Sequence, residues 1–488
     1  MKTNRSIAFL LSLLLLSGTV LTACSESTAD KESKETSAQA AETPESAVEE
    51  TETSELDQLP AAENYDGYEF NFITVEHTWQ EYDQMCFDEL TGESVKDAVI
   101  NRNNTVGDLL DVTFKEQYDS DSGLINKVRS CVSAGDNSID TAVVSVATAN
   151  VMYNEGTITD LTGTLDLDAP WWYKNFTDYV NINPNNAKFV AYGRLDMSYV
   201  GCFMVMAINT ELITEYQLDA PYTVYNEGRW TYDHMYENIQ MVATDKDGDG
   251  VIADFTKDII GAVGADNQFS LMLCSSGEQL AVKQDDTFVL SPTERLYNVY
   301  DKIVQLVNDP ASCFKGVPGK DYEYYWTIFN EGRSLYMSNA IAAFRSARDG
   351  EIPYALLPYP KADETQQDYY NVISNYVAGM SIPSGKSEED MARTGMILEY
   401  LSAYSGPLFD AFVEATLYHK YARDEESIQV FKSMLDIIPY YDLGLIYDWG
   451  GIRSKIDSSV YNSSPLASSI KSITKVFNKA AKKTMGQE

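Results

Sequence analysis

The sequence predicts an α/β protein built on a parallel sheet, and three observations carry that prediction. Short β-rich runs alternate with helical segments along the folded part of the 488-residue chain, which is the pattern of α/β architecture. Within about 80 residues the order is strand, helix, strand, helix, strand, the signature of parallel strands joined by helical crossovers. No repeat of solenoid period interrupts this order.

The elements follow in turn. Tyr68-Glu69-Phe70-Asn71-Phe72-Ile73-Thr74-Val75 alternates as a first strand. Val95, Ala98, Val99, Val106 and Leu109 recur at helical spacing from about Ser94 to Leu110, and Val112-Thr113-Phe114 gives a second strand. Leu124 to Ala134 is helical, and Thr141 to Val146 is a continuous apolar strand. A second block opens near Met204, with a strand over Val205–Asn209 and a short helix over Thr210–Tyr216. Gly228-Arg229-Trp230-Thr231-Tyr232-Asp233 turns into a helix, with Thr231 as its N-cap. Tyr354 to Pro360 is a strand ended by Pro358 and Pro360, and from Glu388 the chain is largely helical, most clearly over Ala392–Tyr404. Lys471, Lys475, Lys479 and Lys482 mark the solvated face of a closing helix.

The first residues predict the compartment. Lys2 and Arg5 precede an apolar run from Ile7 to about Leu16, then Leu21-Thr22-Ala23-Cys24. That is the layout of a secretory signal, too short to span a bilayer. Leu-Thr-Ala-Cys matches a lipobox, so residues 1–23 are expected to be a lipoprotein signal peptide and Cys24 the lipidated residue. Residues 24–62 are then a lipid-bearing, acidic, disordered linker, since from Ser25 to about Pro60 the chain has no aromatic side chain with which to offset its ordering entropy. The expected location is the extracytoplasmic face of the cell membrane, held by the anchor alone.

Removing these segments leaves about 430 residues, enough for two cores. The formal net charge is -38, which argues against nucleic acid or anionic lipid as a partner, because both need clustered basic charge. Cys86, Cys131, Cys202, Cys274 and Cys313 are widely spaced without a CxxC pair, so neither a zinc framework nor a disulfide-dense scaffold is indicated. Catalytic signatures are equally thin. The three histidines, His77, His234 and His419, form no HExxH, and no GxSxG occurs. With 74 acidic residues, a glycosidase pair of carboxylates cannot be argued from counting. The chain is therefore expected not to be an enzyme, with a surface glycan hydrolase as the alternative.

Five stretches in order resemble the bacterial extracellular solute-binding proteins that deliver ligands to ABC importers, in the large group that includes sugar binders. They are Gly92 to Asn103, Ser138-Ile139-Asp140-Thr141-Ala142, Gly228 to Asp233, Thr244 to Gly250, and Leu357-Pro358-Tyr359-Pro360-Lys361, spread over about residues 66 to 450. The resemblance implies a class II periplasmic-binding-protein-like fold: two α/β lobes joined by a hinge, with an interlobe ligand cleft. It places lobe 1 at residues 63–205 with 338–380 and lobe 2 at 206–337 with 381–488. The implied crossings lie near Met204–Ile208, Arg333–Ala343 and Met380–Pro383. It further implies a monomeric subunit that traps its ligand by hinge closure and presents it to an ABC permease. The expected ligand is a mono- or oligosaccharide. A peptide, amino acid or polyamine is the alternative within the same fold, and a ligand-loaded sensor partner is another.

Sugar rings need flat apolar surfaces for their C–H faces and short polar groups for their hydroxyls. The chain holds 33 Tyr and six Trp. On the resembled fold, the cleft-facing candidates are Glu76, His77 and Trp79 after the first strand, and Asn150 and Tyr153 after the Val143–Val146 strand. Ser338, Asn339 and Arg345 near the second crossing, Asn375 and Tyr376 before the third, and Trp449 on a late loop complete the set. Trp171, Trp172 and Trp230 read as packing residues. No cofactor is required. Asp245-Lys246-Asp247-Gly248-Asp249-Gly250-Val251 reproduces the first half of a calcium loop, with side-chain oxygens of Asp245, Asp247 and Asp249 and the backbone carbonyl of Val251 as expected ligands of a structural ion. Thr256 stands where the usual bidentate Glu belongs, with Asp254 and Asp258 nearby. A plain acidic turn is the competing reading.

Overall fold

A computed structural model describes residues 54–76, 84–252, 257–264, 269–315, 322–344, 352–417, 425–437 and 439–487. Cys24, His77, Trp79, Asp254, Thr256, Arg345 and His419 lie outside the described residues.

Lobe 1 grows from β1 (Tyr68–Val75), α1 (Ser94–Leu110), β2 (Val112–Asp119), α2 (Asp121–Ala134) and β3 (Thr141–Ser145). β1 pairs in parallel with β2, Tyr68 opposite Val112, and with β3, Phe72 opposite Thr141. Helical crossovers leave both faces of such a sheet covered. Phe70 and Phe72 pack with Val106 and Leu110 of α1 on one side. Ile73 and Val75 pack with Leu124 and Val128 of α2 on the other. The strand Ala378–Ser381 adds antiparallel to β3, which gives the sheet order Ala378–Ser381, β3, β1, β2. β3 ends one residue earlier than its apolar run suggests. Ser145 accepts from Thr148 N through its hydroxyl and caps α3 (Val146–Asn154), so Val146 opens a helix.

Lobe 2 carries a seven-stranded sheet centred on β4 (Phe203–Asn209). One side of β4 pairs with the strand Ser334–Ala340; the other pairs with Asn371–Ile373 and Tyr354–Pro358. Ile260–Gly264 lies parallel to Ser334–Ala340, with Ser312–Cys313 beyond it and Pro439–Tyr440 at the opposite edge. Every residue of β4 is buried.

The lobe boundaries differ from the expected ones. Met204–Ile208 and Ser334–Ala340 lie inside the lobe 2 sheet and do not cross between lobes. Residues 338–344 and 352–373 belong with lobe 2, while Ala378–Ser381 and the helices Glu388–Ala403 and Gly406–Leu417 belong with lobe 1, where both helices pack on α1. The chain passes into lobe 2 at Cys202–Phe203 and returns at Ser374–Val377. Ser374 N donates to Cys202 O at 2.8 Å, which ties the two crossings together. The helix Glu425–Asp436 packs on Tyr354–Pro358 and so belongs with lobe 2. A continuous apolar run carries no period with which to tell a hinge strand from a central one.

Three of the five stretches that carry the resemblance have architectural roles. Asp140, fully buried, accepts from Asn71 N at 2.9 Å and Tyr68 Oη at 2.8 Å, and pairs with the buried Lys386 at 3.3 Å. Trp230 donates its indole N–H to Pro358 O at 2.8 Å, and Lys361 N donates to Trp230 O at 3.0 Å, so two of the stretches hold each other. Trp171 and Trp172 donate to the buried Glu399 carboxylate, as packing residues should. Among the described cysteines, Cys86, Cys131 and Cys274 form no disulfide, and Cys202 and Cys274 are buried. Among the described residues no helix is long and apolar enough to cross a membrane.

Candidate functional site

Parallel strands direct their C-terminal ends to one edge of a sheet, and ligands of open α/β folds bind at that edge. In lobe 1 this edge faces lobe 2 across a cavity of about 330 Å³. Lobe 1 supplies Thr74 and Val75 at the end of β1, Asp121 opening α2, Val143 to Ser145 ending β3, and Ala147 and Thr148 in the first turn of α3. The returning crossing supplies Asn375 and Tyr376, and lobe 2 supplies Asp448 and Arg453. Both lobes and the hinge therefore line one space.

Each wall is fixed by local bonding. Ser145 Oγ donates to Thr148 Oγ1 at 3.2 Å, and Thr148 Oγ1 donates to Asp121 Oδ1 at 3.2 Å, forming a chain of short polar groups across two helix starts. Thr74 Oγ1 donates to Glu116 at 2.6 Å. The same carboxylate accepts from Met85 N at 2.8 Å, Cys86 N at 3.0 Å and Tyr118 Oη at 2.6 Å. Glu116 thus ties the end of β1 to the chain returning towards α1, and burial pushes its carboxyl above the ordinary range despite these four donors.

The lobe 2 wall depends on a tight turn. Asp448 (φ 45°), Gly450 (φ 68°) and Gly451 (φ 80°) all adopt left-handed backbone. A Cβ on Gly450 would stand 2.8 Å from the backbone N of Phe477, so close approach as well as φ requires glycine there. The turn lets Asp448 Oδ1 accept from Arg453 N at 2.8 Å, with the guanidinium 4.0 Å from the same carboxylate. Next to it Asp457 accepts from Ser270 N at 2.7 Å, and burial pushes its carboxyl up to about 6. The cavity holds one guanidinium, two carboxylates, hydroxyls, an amide and one phenol ring, a mixture that suits a neutral, hydroxyl-rich guest.

The expected residues divide sharply. Asn375 and Tyr376 line the cavity, Tyr376 being 39% exposed. Glu76 is exposed at the end of β1, directly after the lining Val75, and donates its backbone N–H to Asp119 O. Asn150 and Tyr153 lie on α3, not on a loop, and neither lines the cavity: Asn150 Oδ1 accepts from Asn154 at 3.2 Å and from Thr484 at 3.5 Å, while Tyr153 stacks on Phe189 at 5.0 Å. Ser338 bonds Tyr359 Oη at 2.6 Å, and Asn339 is buried within its strand. Trp449 is a correction. The turn that presents Arg453 draws this ring inward, 3% exposed, against Phe288, Tyr447 and Phe477, with Nε1 donating to Thr484 Oγ1 at 2.9 Å. It has no face left for a ligand.

Sequence reasoning missed Asp121, Ser145, Thr148, Asp448 and Arg453. Ser145, Thr148 and Asp121 carried a usable signal, since all three stand at helix starts that directly follow parallel strands. Arg453 carried none, because its position depends on the turn before it.

Two other cavities differ in make-up. One of about 520 Å³ lies between Trp172, Tyr173, Phe176, Tyr179 and Tyr199 of lobe 1 and Leu435, Ile437, Pro439 and Tyr440 of lobe 2. It is rich in aromatic rings, and none of the lobe 1 strands lines it. The other, about 710 Å³, is an open depression on lobe 1 beside Gln58, Pro60 and Glu399.

The acidic loop brings together Asp245, Asp247 and Asp258, with one carboxylate oxygen of each within 4.8 Å of the others. Asp258, fully buried, replaces Asp249 in the group. Asp249 Oδ1 accepts from Val251 N at 2.7 Å, while Asp245 accepts from Gly248 N at 2.6 Å and Gly250 N at 2.8 Å.

No family model and no curated protein matches the chain. Solved structures do. A maltose/maltodextrin-binding domain from Bdellovibrio bacteriovorus bound to maltotriose is similar at 13% identity over 84% of this chain and 99% of that one, with a TM-score of 0.53. A cyclic alpha-maltosyl-1,6-maltose binding protein from Arthrobacter globiformis is similar at 13% identity over 86% and 100%, with a TM-score of 0.55. An ABC substrate-binding protein from Listeria monocytogenes in complex with cycloalternan is similar at 13% over 87% and 100%, with a TM-score of 0.53. At such identity the likeness concerns the fold. The chain has the two-lobed α/β fold with an interlobe cleft that the extracellular solute-binding proteins share.

Proposed function

We propose that the protein is the substrate-binding subunit of an ABC importer, tethered outside the membrane by a lipid on Cys24. In this reading it captures a mono- or oligosaccharide in the interlobe cleft. The observation that carries the reading is the cavity at the strand ends, walled by both lobes and the hinge and lined with short polar groups around Tyr376 and Arg453. A guest held there touches both lobes, so binding favours the arrangement that brings them together, and a permease can read that arrangement. The sugar-binding proteins that share the fold support the ligand class. Binding without turnover is expected.

A thermal-shift panel of mono- and oligosaccharides on the mature chain, with chromatography of the incubated sugars, tests this. A rise in melting temperature with intact sugar is the expected result. Indifference to every sugar would remove the carbohydrate reading, and appearance of product would favour a glycan hydrolase. Calcium is a separate part of the proposal: Asp245, Asp247 and Asp258 would hold it and pin the surface loop. EDTA should then lower the melting temperature, and an unchanged value would leave an acidic turn.

A further inference from the structure

The C-terminal helix Leu466–Thr484 is the odd element of this acidic chain. Its sequence, Leu-Ala-Ser-Ser-Ile-Lys-Ser-Ile-Thr-Lys-Val-Phe-Asn-Lys-Ala-Ala-Lys-Lys-Thr, contains no Asp or Glu, in a protein whose formal charge is -38. Its apolar side (Leu466, Ile473, Phe477, Ala481) is buried against the turn at Trp449 and the strand Thr287–Leu290. The opposite side exposes Lys471, Lys475, Lys479, Lys482 and Lys483. Among the described residues none of the five has an ion-pair or hydrogen-bond partner for its ammonium group. From Lys471 to Lys482 the charges run along about 16 Å of helix axis, so neighbours reinforce one another within a screening length of about 8 Å. An acidic turn, Asp285-Asp286, meets the chain beyond the helix end, where Gln487 donates to Asp286 O at 2.9 Å.

The make-up of this face selects its partner. Specific protein interfaces are depleted in Lys and anchored by Trp, Tyr and Arg. Here the exposed residues around the lysines are Ala467, Ser468, Ser472 and Val476, with no aromatic ring and no arginine. Such a face suits a diffuse anionic layer that accepts point charges in any register. The charge of the whole chain opposes free binding to such a layer. A tether removes that obstacle, because it keeps the face at high effective concentration near the surface.

We propose that the lysine face of Leu466–Thr484 docks on anionic phospholipid headgroups and sets how the tethered protein stands over the membrane. This rests on the membrane-tethered reading above, but it can be tested without acylation. The mature chain is attached through an N-terminal oligohistidine tag to nickel-chelating lipid in phosphatidylcholine vesicles, with or without phosphatidylglycerol. Lysine acetylation is then mapped by mass spectrometry. Lys471, Lys475 and Lys479 should react at least ~3-fold more slowly on phosphatidylglycerol vesicles, and 0.5 M salt should restore their rates by screening. Lys127, exposed on lobe 1, should not change. The Lys471→Glu/Lys475→Glu/Lys479→Glu variant, whose changes are all on the surface, should lose the protection that remains at Lys482 and Lys483. Equal rates on both vesicle types would overturn the proposal, as would protection shared by Lys127 or kept by Lys482 and Lys483 in the variant. Protection only when a protein partner is added would assign the face to that partner instead. Failure of native Cys24 to acylate would refute the anchor and leave these outcomes standing.

Discussion

The lobes differ in how each keeps a fully buried aspartate. In lobe 1, Asp140 sits beneath the sheet with a buried lysine, Lys386, at 3.3 Å and two further donors, Tyr68 Oη and Asn71 N. In lobe 2, Asp442 rests on backbone N–H groups alone: Leu280 at 2.7 Å, Ala281 at 2.8 Å and Leu445 at 3.2 Å. Burial pushes the Asp442 carboxyl up to about 6 against those donors. Both arrangements join segments distant in sequence, through a cation in the first case and through the Leu280 and Ala281 amides in the second; Leu445 N alone fixes the local path into the turn that presents Arg453. The Asp140 site should therefore be sensitive to loss of its partner, and the Asp442 site to protonation.

Three changes sharpen the contrast. The largest effect belongs to Lys386→Met, which strands Asp140 in the interior and should cost roughly 3–5 kcal/mol in urea unfolding. A loss below about 1 kcal/mol would show that Tyr68 and Asn71 suffice. Next comes acid. A carboxyl whose folded pKa lies above its unfolded value binds more protons when folded, so its contribution to stability falls as pH rises through the interval from 3.8 to about 6. Asp442 and Asp457, together with the buried Asp196 of lobe 1, act in the same direction, so unfolding free energy should be higher at pH 5 than at pH 7. The slope is limited to about 1.4 kcal/mol per group per pH unit. Asp442→Asn should flatten that dependence, and an unchanged slope would place the titration elsewhere. The smallest effect is Trp449→Phe, which removes the bond to Thr484 and should cost about 1 kcal/mol while leaving sugar affinity within a factor of about three. A large loss of affinity would restore Trp449 to the site.

Much of the scaffold was legible because its physics is local. Alternation over Tyr68–Val75, helical spacing over Ser94–Leu110 and the cap at Thr231 all recur in the structure. Val146 was misplaced because a serine cap competes with an apolar run, and the crossings were misplaced because β4 is buried along its whole length. The site was less legible for the same reason that Arg453 was missed. Its walls come from five separated stretches, and among the described expected residues only Asn375 and Tyr376 line the cavity. Trp449 shows the hazard of reading aromatics as platforms: the positive φ angles that draw its ring inward are invisible to composition.

In the proposed function a sugar occupies the strand-end cavity and meets lobe 2 through Arg453. Calorimetric titration of the first active sugar from the panel into the wild type and into Arg453→Ala tests it directly. Saturable one-to-one binding to the wild type is expected. Affinity should fall at least ~30-fold in the variant, the scale of a lost charge-assisted bond, with melting temperature nearly unchanged. Equal affinity in the two proteins would place the ligand elsewhere and contradict the account.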